Sequence, residues 1–338
     1  MTLTLLSLAL ALLAHPAEEP LKLEGAVELP GVRGRIDHMD FEPGRDRLWI
    51  AALENDTVEV VDLAAGKHER SIATTKRPTG VASAAKLGLV LVASGADGRL
   101  DAYDATTLER KASIEVGPDA DNVRWDALHE RALVGYGDGA LAIVDVRAGK
   151  RTASVPLGGH PESFQLDVQA QLAYVNVPDL RSILCVDLRE CKVVWTRGLG
   201  DLRANYPLAI DARRRELLIG CRAPSVMAVR AIDAQENDSR AMSVPLAGDV
   251  DDLFHDALLD RVYAACGAGF LDVLQRSGAH DATAKTVQPV YEPLARIPTA
   301  AGARTGLFVP ETRRLFLAVP RRGEQRSEIR IYAAPAAR

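Results

Sequence analysis

The stretch LWIAALENDTVEVVDLAAGKHERSI, residues 48–72, decides the fold. It reads as an apolar strand, a polar turn, a second strand ending at Asp62, a turn around Gly66 and a short third strand. The pattern returns along the whole chain. The first strands are LWIAA (Leu48), LVLVA (Leu89), ALVGY (Ala132), LAYVN (Leu172), LLIGC (Leu217), VYAAC (Val262) and LFLAV (Leu315). Their starts lie 41, 43, 40, 45, 45 and 53 residues apart. The second strands are VEVVDL (Val58), LDAYDA (Leu100), LAIVDV (Leu141), ILCVDL (Ile183), VMAVRAID (Val226), FLDVL (Phe270) and EIRIYA (Glu328). A period in the low forties with several strands per unit predicts a β-propeller. One such unit cannot bury both faces of its small sheet, so seven must stack around an axis. The expectation is an all-β, seven-bladed propeller.

Each blade has four antiparallel strands, lettered a to d from the axis outward. The LWIAA-type strand is b and the VEVVDL-type strand is c. AAGK (Ala64), TTLE (Thr106), RAGK (Arg147) and REC (Arg189) are c–d turns, with the Gly and polar residues that tight turns require. GYGDG (Gly135) and SGADG (Ser94) join two strands rather than a strand to a helix. They are b–c turns, not phosphate loops. The last repeat supplies a, b and c and then stops, while Leu21 to Leu29 has strand character and no repeat of its own. That segment is expected to complete the last blade and remove its open edge.

The length of 338 residues would by itself suggest about two domains, but the repeat fills residues 21–335 as one. The 47% hydrophobic content is ample for a core. A net charge of −5 disfavours phosphate-backbone binding, so no nucleic-acid partner is expected. The turn Arg213–Arg215 is expected to be solvated. Leu3 to Ala14 is an apolar run too short to span a bilayer and suited to a signal peptide over residues 1–17. No other stretch could span a membrane. The expected location is periplasmic or secreted, and the expected state monomeric. Cys185, Cys191, Cys221 and Cys266 read as free thiols; a two-residue turn would pair Cys185 with Val194. The insertion Ser277 to Pro289 reads as a mobile loop. Trp49, Trp125 and Trp195 read as core.

The strand b and c words with VDL-x-x-GK turns resemble the YVTN-repeat propellers of the YncE type, which are bacterial and extracytoplasmic. The phrases GRIDHMDF (Gly34), DADNVRWD (Asp119), GHPESFQL (Gly159), GDVDDLFHD (Gly248) and GARTGLFVPE (Gly302) are similar to those of a secreted subfamily. The resemblance covers roughly residues 33–334 and implies the seven-bladed fold. It implies no settled reaction, since propellers host enzymes and scaffolds alike.

Aligned on strand b, the starts of strand a give three registers. The first reads Asp37, Thr79, Asp121, Glu162, Tyr206, Asp251 and Arg304. The next reads His38, Gly80, Asn122, Ser163, Pro207, Asp252 and Thr305. The third reads Met39, Val81, Val123, Phe164, Leu208, Leu253 and Gly306. The chain passes from polar to apolar within two residues. The apolar register should pack between blades and the polar ones should crowd the channel mouth. The candidate site is therefore Asp37, His38, Asp121, Asn122, His160, Glu162, Asn205, Tyr206, Asp251, Asp252, Arg304 and Thr305, with Arg35 nearby. Crowded carboxylates need a cation, an Arg or water beside them.

The pattern favours a non-catalytic module that binds a small polar ligand or another protein. The alternative is a lactonase-type hydrolase that uses an axial divalent metal such as Ca²⁺ as Lewis acid, held by Asp121, Glu162 and Asp251 with Asn122 or His38. Electron transfer through haem or quinone has no ligand motif here: CxxCH is absent. No GxSxG elbow, P-loop or HExxH occurs.

Overall fold

A computed structural model describes residues 19–73, 76–233, 242–277 and 290–336. The expected signal segment 1–17 and nearly all of the expected loop 277–289 lie outside the described residues. Seven four-stranded antiparallel sheets form the ring. Strand a of successive blades spans Met39–Glu42, Pro78–Ala84, Val123–Asp126, Phe164–Asp167, Arg203–Asp211, Val250–Asp256 and Thr305–Val309. In blade seven, strand c (Glu328–Ala333) pairs with the N-terminal strand Lys22–Glu28, which supplies strand d. Among the described residues no helix is long and apolar enough to cross a membrane.

The apolar register of strand a is buried: Met39, Val81, Val123, Phe164, Leu208 and Leu253 each join an inter-blade cluster or the sealed core. Blade two carries Gly80 where others carry a side chain, because the neighbouring backbone leaves no room. A Cβ there would meet the Asp121 carbonyl oxygen at 2.5 Å.

The Asp that ends strand c is a turn-former. Asp62, Asp104, Asp145 and Asp187 each accept backbone N–H groups from the c–d turn, at 2.8–3.0 Å. The fourth turn residue takes positive φ in all four blades: Gly66, Leu108, Gly149 and Cys191. A bulge then shifts the c–d register. Cys185 pairs with Trp195, not Val194, since Val194 is the extra residue. All four cysteines are free thiols. Trp49 is sealed in the core. Trp125 packs half-buried against the core cluster of blades two and three and also borders the channel, and Trp195 packs against the cluster of blades four and five beneath the Arg197 guanidinium, 4.0 Å from its ring centroid.

The far face, where strands a end, is tied by buried acids. Glu42 accepts the Trp49 indole N–H, Asp126 pairs with Arg131, Asp211 with Arg214 and Asp256 with Arg313. Arg214 is thus not a solvated turn residue. It bridges Asp211 of blade five to Asp260 of blade six at 2.9 and 2.6 Å. The Arg313 guanidinium makes two 2.7 Å bonds to Asp256, whose Oδ2 also accepts Tyr263 Oη–H at 2.8 Å. Arg313→Met would strand a carboxylate that is 1% exposed. The expected loss is about 3–4 kcal/mol by urea unfolding. A loss below about 1 kcal/mol would mean that water replaces the guanidinium.

Candidate functional site

The backbone ladder runs past the formal start of strand a and fixes the first polar register. Asp37, Asp121 and Glu162 donate their N–H groups to Ala51, Gly135 and Asn176 carbonyls at 2.8, 2.8 and 3.0 Å. The partner strands return N–H bonds to the carbonyls of His38, Asn122 and Ser163. Each acid is therefore held at the same height on its blade, although the blades lie about forty residues apart in the chain.

Three ion clusters result. In the first, Arg35 donates to Asp37 at 2.7 Å, and His38 Nδ1 lies 3.7 Å from the same carboxylate. In the second, His160 Nδ1–H donates to the Gly137 carbonyl at 2.6 Å, and its Nε2 lies 3.6 Å from Asp121. In the third, Asp251 pairs with Arg304 at 2.9 Å and with Arg222, and both arginines also meet Asp249. The Arg222 guanidinium stacks 4.2 Å above the Tyr206 ring.

The clusters act on one another through space. Burial pushes Glu162 up to about 7, the charges of Asp121 and Asp251 add to this, and His160 and His38 oppose it. Burial works against the His38 imidazolium, but Asp37 and then Asp121 outweigh it and raise His38 to about 9. Pairing with Asp121 raises His160 to about 9 against its own burial. Asp37 is also penalised by burial, yet His38 and Arg35 hold it below the usual carboxylate range. Burial keeps Asp251 above that range in spite of Arg222 and Arg304. Groups from blades one, three, four, six and seven thus share one field at one end of the axis. Within it His38 Nε2 and Asp121 Oδ1 are buried and have no hydrogen-bond partner.

Not every expected residue joins these clusters. Asn205 is fully buried and donates to Asn176 Oδ1 and the Ser182 carbonyl at 3.2 and 3.1 Å. Thr305 Oγ–H donates to the Ile36 carbonyl at 2.9 Å, joining blade seven to blade one. Asn122 accepts from Arg124. Asp252 lies deeper in the channel, where its Oδ2 accepts the Gly306 N–H at 2.8 Å. Conversely, Arg222 and Asp249 escaped the strand a alignment. Arg222 sits at the mouth end of strand b and Asp249 in the d–a loop. Arg222 follows a buried Cys and breaks the apolar run of strand b, a signal that could have marked it.

The structure does not gather Asp121, Glu162 and Asp251 as a metal set. Among the described residues, ligand atoms of three or more such side chains come within 4.8 Å of one another only at Asp211, His255 and Asp260, on the far face. There Arg214 already occupies the centre: its NH1 and NH2 lie 2.6 and 2.8 Å from the Asp260 oxygens. A guanidinium in that position repels a second cation, so the cluster is an ion network between blades.

No protein-family model matches the chain, and no curated protein does. Solved structures do. A chain from the Kuenenia stuttgartiensis hydrazine synthase superposes with a TM-score of 0.72 at 14% identity, over 86% of this chain and 95% of that one. A chain of a mitotic checkpoint complex superposes with a TM-score of 0.75 at 15% identity, over 98% and 99%. At such identities the likeness carries architecture and no activity. The chain is a seven-bladed β-propeller, closed by its own N-terminal strand.

Proposed function

We propose that this propeller is an exported, monomeric binding module of the YVTN-repeat, YncE type. It takes a small polar ligand at the channel mouth and performs no catalysis there. One observation carries the reading: His38 Nε2 and Asp121 Oδ1 are buried without partners beside each other's charge. Buried polar atoms are nearly always paired, so an unpaired donor and acceptor within one field at the same end of the axis favour a ligand that supplies both partners. Such a ligand offers an acceptor to the imidazole and a hydroxyl or amine hydrogen to the carboxylate. Glu162 and the Asp251–Arg222–Arg304 cluster frame it. Binding is favoured over metal-assisted hydrolysis because the acids are spread among three ion clusters and their oxygens do not converge.

A thermal-shift screen of polar metabolites is expected to yield stabilising compounds. Their affinity should fall at least about tenfold in Glu162→Ala and in Asp251→Ala, as for a lost charged hydrogen bond. Compounds that bind both variants as tightly as the parent would move the site to the outer rims. Export is tested by sequencing the N-terminus of protein recovered from cell fractions. A cytoplasmic chain with an intact Leu3–Ala14 run would exclude it.

A further inference from the structure

Deeper than the mouth the channel holds a chamber of about 640 Å³. That volume is in the range of small-molecule sites. Its wall is the register of strand a two residues beyond His38: Asp40, Ala82, Arg124, Gln165, Phe254 and Leu307. Trp125 adds a further aromatic surface, and Lys86 of an a–b turn stands toward the far face.

Arg124 is the anomaly in this wall. Its NH1 donates to Asn122 Oδ1 and to the Val123 carbonyl, and its guanidinium lies 5.6 Å from the Phe164 ring centroid. Among the described residues it makes no ion pair within 4.0 Å, and neither Nε nor NH2 makes a hydrogen bond. Arg214, Arg276, Arg296, Arg304 and Arg313 all rest on carboxylates. Asp40 and Asp252 line the same chamber, but neither carboxylate comes within 4.0 Å of the guanidinium. Asp40 Oδ2 accepts the Ser83 N–H at 2.5 Å and Asp252 Oδ2 accepts the Gly306 N–H at 2.8 Å, each bound to the next blade. A half-buried guanidinium with no carboxylate in contact leaves its charge unmatched, and a cavity with an aromatic wall lies beside it.

We infer that this chamber binds a small amphipathic carboxylate, whose headgroup pairs with Arg124 and whose apolar body lies against Trp125, Phe254 and Leu307. The two requirements come from the same wall: a planar fork of unused N–H donors suits a carboxylate, and the rest of the lining offers apolar contact. The charged groups that face Arg124 are Asp40 and His38 from blade one, Asp121 from blade three, Asp252 from blade six and Lys86 from blade two. Burial raises Asp40 to about 6 and Asp252 to about 7. Near neutrality both can take up a proton as an anion enters, which leaves the guanidinium as the governing charge. Affinity for the anion should therefore fall as pH rises above 7.

The test uses the full chain at pH 6.5 with 4-phenylbutyrate, octanoate and the neutral 4-phenylbutyramide, read by calorimetry and by Trp125 fluorescence. The acids should bind about tenfold more tightly than the amide. Arg124→Gln should remove that advantage and leave amide binding within about twofold, Arg124→Lys should keep part of it, and Leu307→Trp should block all three probes. If Leu307→Trp fails to fold, loss of the fluorescence response in Trp125→Phe, with calorimetric binding retained, places the probe in the chamber instead. Equal affinity for acid and amide, undiminished acid binding by Arg124→Gln, or no saturable binding at about 10 mM would each overturn the inference. None of these variants alters Glu162 or Asp251, so failure here is separable from failure at the mouth.

Discussion

A chain that begins at residue 31 is expected to be largely unfolded at room temperature. Blade seven would lose strand d, and with it Leu21, Val27 and Leu29, which are 4%, 4% and 1% exposed. Burial of each such side chain contributes about 1.5–3 kcal/mol, so the three together contribute about 5–9 kcal/mol. That is comparable with the whole net stability of an ordinary domain. Val27 and Leu29 sit in the cluster that also holds Ile36, Leu48 and Phe316, so the loss spreads into blade one. Strand c of blade seven would also become an open edge and invite aggregation. Urea unfolding and gel filtration measure the outcome, and a synthetic peptide of residues 20–30 added in trans should restore part of the structure. A truncated protein with the parent's unfolding midpoint would show that the ring closes without this strand.

The second large effect is on pH. Asp252 and Glu162 are raised from 3.8 and 4.5 to about 7, Asp252 by burial and then Asp251, Glu162 by burial and then Asp121. Through that interval the folded protein holds protons that the unfolded chain has released, so stability declines as pH climbs from about 4 to above 7. His38 and His160 are raised from 6.5 to about 9. Their stabilisation is complete below about 6.5 and is lost as pH passes through 9. The two sets add, and the decline continues from pH 5 to beyond 9. In the other direction Asp37, Asp211 and Asp256 are held below 3.8, where their partners outweigh burial. They contribute stability above the unfolded value, and it is lost as pH falls through their folded values. Maximal stability is therefore expected near pH 5, with about 3–5 kcal/mol lost by pH 9. For a chain of this size that is about 4–7 °C in melting temperature. Asp252→Asn and Glu162→Gln should flatten the curve between pH 5 and 7.5, and His160→Gln should flatten it above 7.5. A melting temperature that rises from pH 5 to 9 would contradict the electrostatic reading of the mouth.

The two effects differ in how far they could be read in advance. Strand d of blade seven was visible because a missing strand at one end of the repeat matched a spare one at the other. The first polar register was visible for the same reason: strand b anchors strand a, and alternation within a strand is local. What went unread depends on where one blade stands against the next. The Thr305 hydroxyl belongs to a polar register and the Asn205 amide directly precedes one, yet neighbouring carbonyls at 2.9 and 3.1 Å claim them. Arg222 reaches the mouth from strand b, and Arg124 returns to the channel one alternation below the apolar register, where the alignment stopped. The bulge that moves Cys185 opposite Trp195 adds one residue that no turn rule announces.

The sequence by itself determined the number of blades, the order of strands, the turn acids and the closing strand. Each of these follows from hydrophobic period and turn chemistry acting over a few residues. Only the tertiary structure decided which charges meet. Asp37, Asp121, Glu162 and Asp251 come from four blades, and their sharing of one field, with Arg124 left unpaired beneath them, is fixed by the ring's radius and the tilt of its blades. Electrostatic energy depends on distance between groups and on their burial, and neither quantity is written in the spacing of residues along the chain.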